Sequence, residues 1–299
     1  MAMAGVAGLA AVSGIRTANG SDHSPRRITI LHTNDTHSRL DPFPLNDPNF
    51  PGMGGYARRA AIIQKIRSED PELLLLDAGD VFQGTPYFNM FGGKPELMLM
   101  TKMGYDAATL GNHEFDNGIE GLADVLPNAG FPFISSNYDL SRTILHNKIL
   151  PYLVLKRRGV NIGIYGLGIN LEGLVSPAQF GDYKYLDPIE VAREMENLLH
   201  SRHNCQLIVC LSHLGFSYNH PQVSDKIIAS ETKLTNIIIG GHTHTLLDPP
   251  VVVSNMQNQP VTIVQTGSGG VRLGYIEVEV LATSGDRKST RLNSSHGII

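Results

Sequence analysis

Leu73-Leu74-Leu75-Leu76-Asp77-Ala78-Gly79-Asp80 reads as a buried strand that stops at a glycine and an aspartate. A short apolar run bounded by turn residues is the signature of a strand covered on both faces. The same arrangement recurs four more times. Residues 28–31 lead to Asp35-Thr36-His37, and residues 107–110 lead to Gly111-Asn112-His113-Glu114-Phe115-Asp116. Residues 207–211 lead to Ser212-His213, and residues 237–239 lead to Gly241-His242-Thr243-His244. Polar residues therefore collect where strands end, the rim at which open α/β sheets bind ligands.

Each cluster alone is weak. A histidine beside a glycine is more often a hydrogen-bonded surface residue than a ligand, and Asn112 alone reads as a turn residue. Jointly they are a metal-ligand set, because five separate strand ends carry ligand-type side chains. The donors are carboxylate, amide and imidazole with no thiolate, which suits a divalent ion such as Zn, Mn, Fe, Co or Ni. Seven candidate ligands (Asp35, His37, Asp80, Asn112, His213, His242 and His244) are too many for one ion. They suit two ions sharing a carboxylate, and Asp80, flanked by Gly79 and close to Gly84, is the natural bridge. Two such ions clamp a phosphate ester, lower the pKa of a bridging water, and steady both the attacking and the leaving oxygen. His113 is adjacent to Asn112, so both cannot easily reach one ion, and it reads instead as an acid for the leaving group. Asp116 is placed to fix the His113 tautomer, to cap the following helix, or to do both.

The chain has 299 residues, of which 41% are hydrophobic and 17% charged, enough for a sizeable core. Its net charge of -4 gives no basic field for a nucleic-acid polymer, and no internal apolar run is long enough to span a bilayer. Cys205 and Cys210, if on one strand, stand roughly 16 Å apart and read as inert thiols. Residues 1–27 read as the remnant of an export signal or a disordered tail, which points to a periplasmic or otherwise extracytoplasmic location. Residues 286–296, DRKSTRLNSSH, match the translation of a sequencing-library adapter, so 286–299 are expected to be an unstructured artefact and 28–285 the folded domain.

Strands alternate with helices in the first half. Helices are expected over 56–67, 95–103 and 119–126, with Ala60, Ile63 and Ile66 on the buried face of the first and Arg58, Arg59 and Arg67 off it. Arg158-Gly159 reads as a hairpin turn. Asp187-Pro188-Ile189-Glu190 reads as a capped helix start with a reciprocal capping box. Helices near 188–198 and 223–230 separate later strands, and hairpin character grows toward 261–281. This is an α/β layered fold with a mixed sheet.

Asp35-x-His37, Gly79-Asp80, Gly111-Asn112-His113-Glu114, His213 and Gly241-His242-x-His244 resemble the motifs of the calcineurin-like metallophosphoesterases. HTNDTHSRL, DAGDVFQGTP, GNHEFDNG, SHLG and GGHTHT are similar to the catalytic domain of the bacterial and animal 5'-nucleotidases, and the likeness runs over about 28–281. The resemblance implies a four-layer α/β/β/α sandwich. It implies that Asp35, His37, Asp80 and His244 bind one ion, that Asp80, Asn112, His213 and His242 bind the other, and that His113 with Asp116 forms a catalytic dyad. It implies release of phosphate from nucleoside monophosphates by a metal-bridging hydroxide. Relatives that open 2',3'-cyclic nucleotides or cleave sulfur–sulfur bonds keep alternative substrates open, and a metal-stabilised subunit without turnover is a reading of another class. Nucleotide-hydrolysing members of the family carry a second, C-terminal domain that holds the base, so a separate nucleotide-binding domain or partner is expected.

Overall fold

Alternation inside the apolar runs sorts their side chains between two sides of each sheet. In the computed structural model, which describes residues 25–281 and the backbone of 290–298, the elements in chain order begin with β1 (Arg26–Thr33), α1 (Tyr56–Glu69), β2 (Leu74–Asp77), α2 (Pro86–Phe91) and α3 (Lys94–Met103). Next come β3 (Ala107–Thr109), α4 (Gly118–Val125), β4 (Phe133–Ile134), β5 (Tyr138–Asp139), β6 (Tyr152–Arg157), β7 (Val160–Gly168), α5 (Pro177–Phe180) and β8 (Lys184–Tyr185). The chain continues through α6 (Pro188–Ser201), β9 (Leu207–His213), α7 (Asp225–Glu231), β10 (Ile237–Gly240), β11 (Val251–Ser254), β12 (Pro260–Val264), β13 (Arg272–Val280) and β14 (Thr290–Ile298).

Two mixed sheets result, in the orders β14-β13-β1-β2-β3-β4 and β11-β12-β10-β9-β7-β6, with a small β5-β8 pair beside them. Ile28, Ile30, Leu74 and Leu76 of the first sheet meet Ile162, Ile164, Val209, Leu211, Ile237 and Ile239 of the second. The alternate residues face outward. Leu31 and Leu75 pack under α1, α3 and α4, while Ile208, Cys210 and Ile238 pack under α6 and α7. Both faces of the parallel strands are covered, which is why these runs are apolar without a polar alternation. The layers are helix, sheet, sheet, helix, the expected sandwich.

β1, β2 and β3 are mutually parallel, and so are β7, β9 and β10. The C-terminal ends of both sets open on one rim. This geometry positions the candidate site.

Several expectations are corrected. β1 begins at Arg26, where Arg26 and Arg27 pair with Val280 and Glu279, so 26 and 27 are strand and not tail. Residues 290–298 add antiparallel to β13, covering the backbone groups that an edge strand leaves unpaired. The expectations for residues 1–24, 286–289 and 299 fall outside the described residues. Arg59 does not lie off the buried face of α1. It is fully buried, with its guanidinium 4.4 Å over the Tyr56 ring. Burial alone would lower its pKa, but Tyr105, Tyr56 and Asp77 beside it outweigh this and raise it. Asp187 caps α6 by accepting from the backbone of Ile189 and Glu190, but the Glu190 carboxylate accepts from Arg193 at 3.0 Å. Elsewhere, the Arg158-Gly159 turn has positive φ at both residues (48° and 77°), as a two-residue hairpin requires. Both cysteines are buried.

Candidate metal centre

The backbone at the rim is bent hard. Asp35, His37, Asp80, His242 and His244 all have φ between 48° and 69°. Non-glycine residues rarely adopt this left-handed region, and clusters of such residues persist at functional sites, where the surroundings over-determine them. Hydrogen bonds hold the bends. Asp35 N–H donates to Gly79 O at 2.9 Å and His37 N–H to Asp80 O at 3.1 Å, so the ends of β1 and β2 stay zipped past the sheet. Gly111 lets the two halves close up, since a Cβ there would collide with Oδ1 of Asp80 and approach its amide to 2.6 Å.

These turns bring the predicted residues to one place. Asp35, His37 and His244 form one trio and Asp80, His213 and His242 another; within each, the ligand-type atoms lie within 4.8 Å of one another. A third trio by the same measure, His37, Asp80 and His113, lies between them. His37 Nε2 is 2.9 Å from His244 Nε2, and His244 Nε2 is 3.5 Å from Asp35 Oδ1. Asn112 Oδ1 lies 2.9 Å from His242 Nδ1, which adds the amide to the second trio. Asp80 belongs to the second and third trios and not to the first, and the third joins it to His37 of the first.

The tautomers and charges test whether a cation fits. His213 Nδ1 donates to Ala78 O at 2.7 Å, which leaves a lone pair on Nε2. That Nε2 is buried without a hydrogen-bond partner, although Asp80 Oδ2 stands 3.0 Å away. An orphaned imidazole acceptor beside a carboxylate is the arrangement that a positive ion completes. The carboxylates of Asp35 and Asp80 are 0% and 2% exposed, and among the described residues their ion-pair partners are histidines alone. Burial by itself would lower the His213 pKa, but the Asp80 carboxylate overrides it and raises it, so a proton on Nε2 takes the place beside Asp80 that a bound cation would take from it; the same attraction, against burial, holds Asp80 well below the usual carboxylate range. Burial keeps His37 below its ordinary value, in the neutral form that a ligand needs. The residues present fit a divalent cation.

His113 Nδ1 is 2.7 Å from Asp116 Oδ2. Helix α4 has Asn117 as its N-cap residue, with no side-chain hydrogen bond to the cap among the described residues. The His113 ring lies 5.3 Å from the His37 ring, edge to face, at the mouth of the cluster.

Residues that sequence reasoning passed over hold this arrangement. Asn34 donates to Asp35 Oδ2 at 2.6 Å and to Gly267 O at 2.8 Å, and its Oδ1 accepts from Thr266 N at 2.8 Å. Gln265 accepts from Thr245 N at 2.8 Å and donates to Gly241 O, clamping the turn that carries His242 and His244. Asp77 accepts from Thr33 Oγ1 at 2.5 Å and from Gly79 N at 2.8 Å. Each sits next to a motif, but only their position at a strand end gave any signal. The loop over 41–55 carries Phe43, which packs against Gly269 of the loop bonded to Asp35.

A profile of the calcineurin-like phosphoesterase family matches residues 28–246. The chain belongs to this family. Snake venom 5'-nucleotidase from Crotalus adamanteus is 35% identical over 272 residues, which cover 84% of this chain and 45% of that protein. Among solved structures, a 5'-nucleotidase precursor from Thermus thermophilus superposes with a TM-score of 0.78 at 33% identity, covering 92% of this chain and 55% of that one. The NAD nucleotidase of Haemophilus influenzae gives a TM-score of 0.78 at 29% identity, covering 93% and 51%. As a calcineurin-like phosphoesterase, the chain spans about half the length of the curated relatives it matches. No described helix is long and apolar enough to cross a membrane.

Proposed function

We propose that this chain is the catalytic domain of a two-metal phosphomonoesterase that releases phosphate from nucleoside 5'-monophosphates. The observation that carries the reading is Asp80, which groups with His213 and His242 on one side and, in the trio that also contains His113, with His37 of the Asp35 trio on the other, while His113 and Asp116 pair at the edge. Asp35, His37, Asp80 and His244 would hold one divalent ion, and Asp80, Asn112, His213 and His242 the other. Bound ions would polarise the phosphoryl group and bring the pKa of water down toward neutrality. Water adds to phosphorus as the ester P–O bond breaks. His113, held through Nδ1 by Asp116, passes its Nε2 proton to the departing ribose oxygen. The products are inorganic phosphate and a nucleoside.

The relatives named as 5'-nucleotidases support the nucleotide substrate, and their greater length supports a further domain or partner that holds the base. A matched relative is a venom protein, which supports an extracytoplasmic location and a role in nucleotide catabolism outside the cytoplasm. The test is phosphate release from AMP, a 2',3'-cyclic nucleotide and a chromogenic phosphomonoester, with Mn²⁺ and with a chelator. Metal-dependent release from AMP is expected. Turnover of the cyclic ester alone would redirect the substrate assignment, and no release from any of the three would leave a non-catalytic metal-bound subunit.

A further inference from the structure

Glu114 follows His113 and has no part in the chemistry above. Its side chain is buried and accepts hydrogen bonds from four backbone amides. Oε2 takes Asp80 N–H at 3.0 Å and Gly111 N–H at 2.6 Å. Oε1 takes Val81 N–H at 2.8 Å and, more loosely, Phe82 N–H at 3.4 Å. These amides come from two different strand ends. Three belong to the turn after β2, where Asp80 is held at φ 56°, and one to the turn after β3. Successive inward-pointing amides form a concavity that binds an anion, and here the chain fills it with its own carboxylate. His113 N–H, donating to Asp80 Oδ1 at 2.9 Å, is a second tie between the same two turns.

We propose that Glu114 is a positioning residue that sets the spacing between Asp80 and Asn112, and that this spacing is what lets the second ion of the pair bind. The inference rests on the two-ion reading of the centre. All four hydrogen bonds run into the carboxylate, so both oxygens must act as acceptors. Glutamine keeps the shape but turns an NH₂ toward amide donors: at the Oε2 position it loses the Asp80 and Gly111 bonds that tie the two turns together, and at the Oε1 position the Val81 and Phe82 bonds. Aspartate keeps two acceptors on a shorter arm.

The experiment compares wild type, Glu114→Gln and Glu114→Asp, each loaded with Mn²⁺, dialysed, and analysed for metal per chain. Circular dichroism and thermal unfolding report on the fold, and steady-state kinetics with AMP report KM and kcat separately. Wild type is expected to hold two ions. Folded Glu114→Gln is expected to keep one and to bind the second about 10- to 100-fold more weakly, the range for lost outer-sphere support. Its kcat should fall much more than its KM rises. Glu114→Asp should lie between the two. Folded Glu114→Gln with two ions at wild-type affinity overturns the proposal. If Glu114→Gln does not fold, Glu114→Asp decides: a weakened second ion supports the role, and wild-type binding of both ions overturns it. Wild type holding fewer than two ions would sink the two-ion reading itself, and the Glu114 role with it.

Discussion

His113 Nδ1 lies 2.7 Å from Asp116 Oδ2, a contact that fixes which ring nitrogen is left to face the centre. His113→Ala should therefore keep both ions and lose turnover by about 10²- to 10⁴-fold, the range for a missing acid–base group. Asp116→Asn should retain metal and show a smaller loss. Metal analysis beside kcat with AMP checks both; loss of metal from His113→Ala would make His113 a ligand.

Asp80→Asn should behave differently. Asp80 groups with His213 and His242 and also with His37 of the Asp35 trio, so on the two-ion reading neutralising it weakens both sites, and metal and activity should fall together. An active, metal-free Asp80→Asn protein would end the two-metal reading.

Gly111→Ala probes the same contact from the other side. Its Cβ would collide with the Asp80 carboxylate, whose turn is already pinned by hydrogen bonds. The expected result is a folded protein with reduced metal content and activity, measured as for Asp80→Asn. Full metal occupancy would show that the two turns have more room than their geometry implies.

Chelation should destabilise the protein as well as silence it. Asp35, Asp80 and His213 are buried together, and a ligand that binds only the folded chain adds stability by mass action. At free metal 100-fold above its dissociation constant the shift is about 2.7 kcal/mol per site. A Tm that does not move on adding and removing Mn²⁺ would contradict this.

Glu196 supplies a control remote from the rim. Its buried carboxylate accepts from Lys233 N and Leu234 N, both at 2.8 Å, and Thr235 N at 2.9 Å, tying α6 to the segment before β10. Glu196→Gln leaves a buried amide donor facing amide donors and should cost about 1–3 kcal/mol of stability. Metal content and turnover should be unchanged; a selective loss of either would link this outer layer to the centre.

Much of the fold was legible because parallel strands buried on both faces must be continuously apolar. The runs ending at Leu76, Leu211 and Ile239 announce themselves in this way. Short elements were not legible. α2 and β11 lack a long periodic face, and the two-residue pairing of β5 with β8 depends on distant partners. Arg59 was misplaced because helical periodicity sorts residues by polarity. Nothing local announces that Asp77, Tyr56 and Tyr105 surround a cation inside the core.

The amino-acid sequence by itself determined the inventory of the centre: two aspartates, an asparagine and four histidines at strand ends, with His113 and Asp116 three residues apart on one turn. That spacing is local, so chain geometry alone brings the last two within reach. Which donors face one another was decided only when two sheets packed with their parallel ends on one side, setting His242 beside Asn112 and His213 beside Asp80. Those pairs are far apart along the chain, and no local propensity spans such a distance. The bonds that fix it, from Glu114, Asn34 and Gln265 to backbone groups of other turns, exist only in the folded protein.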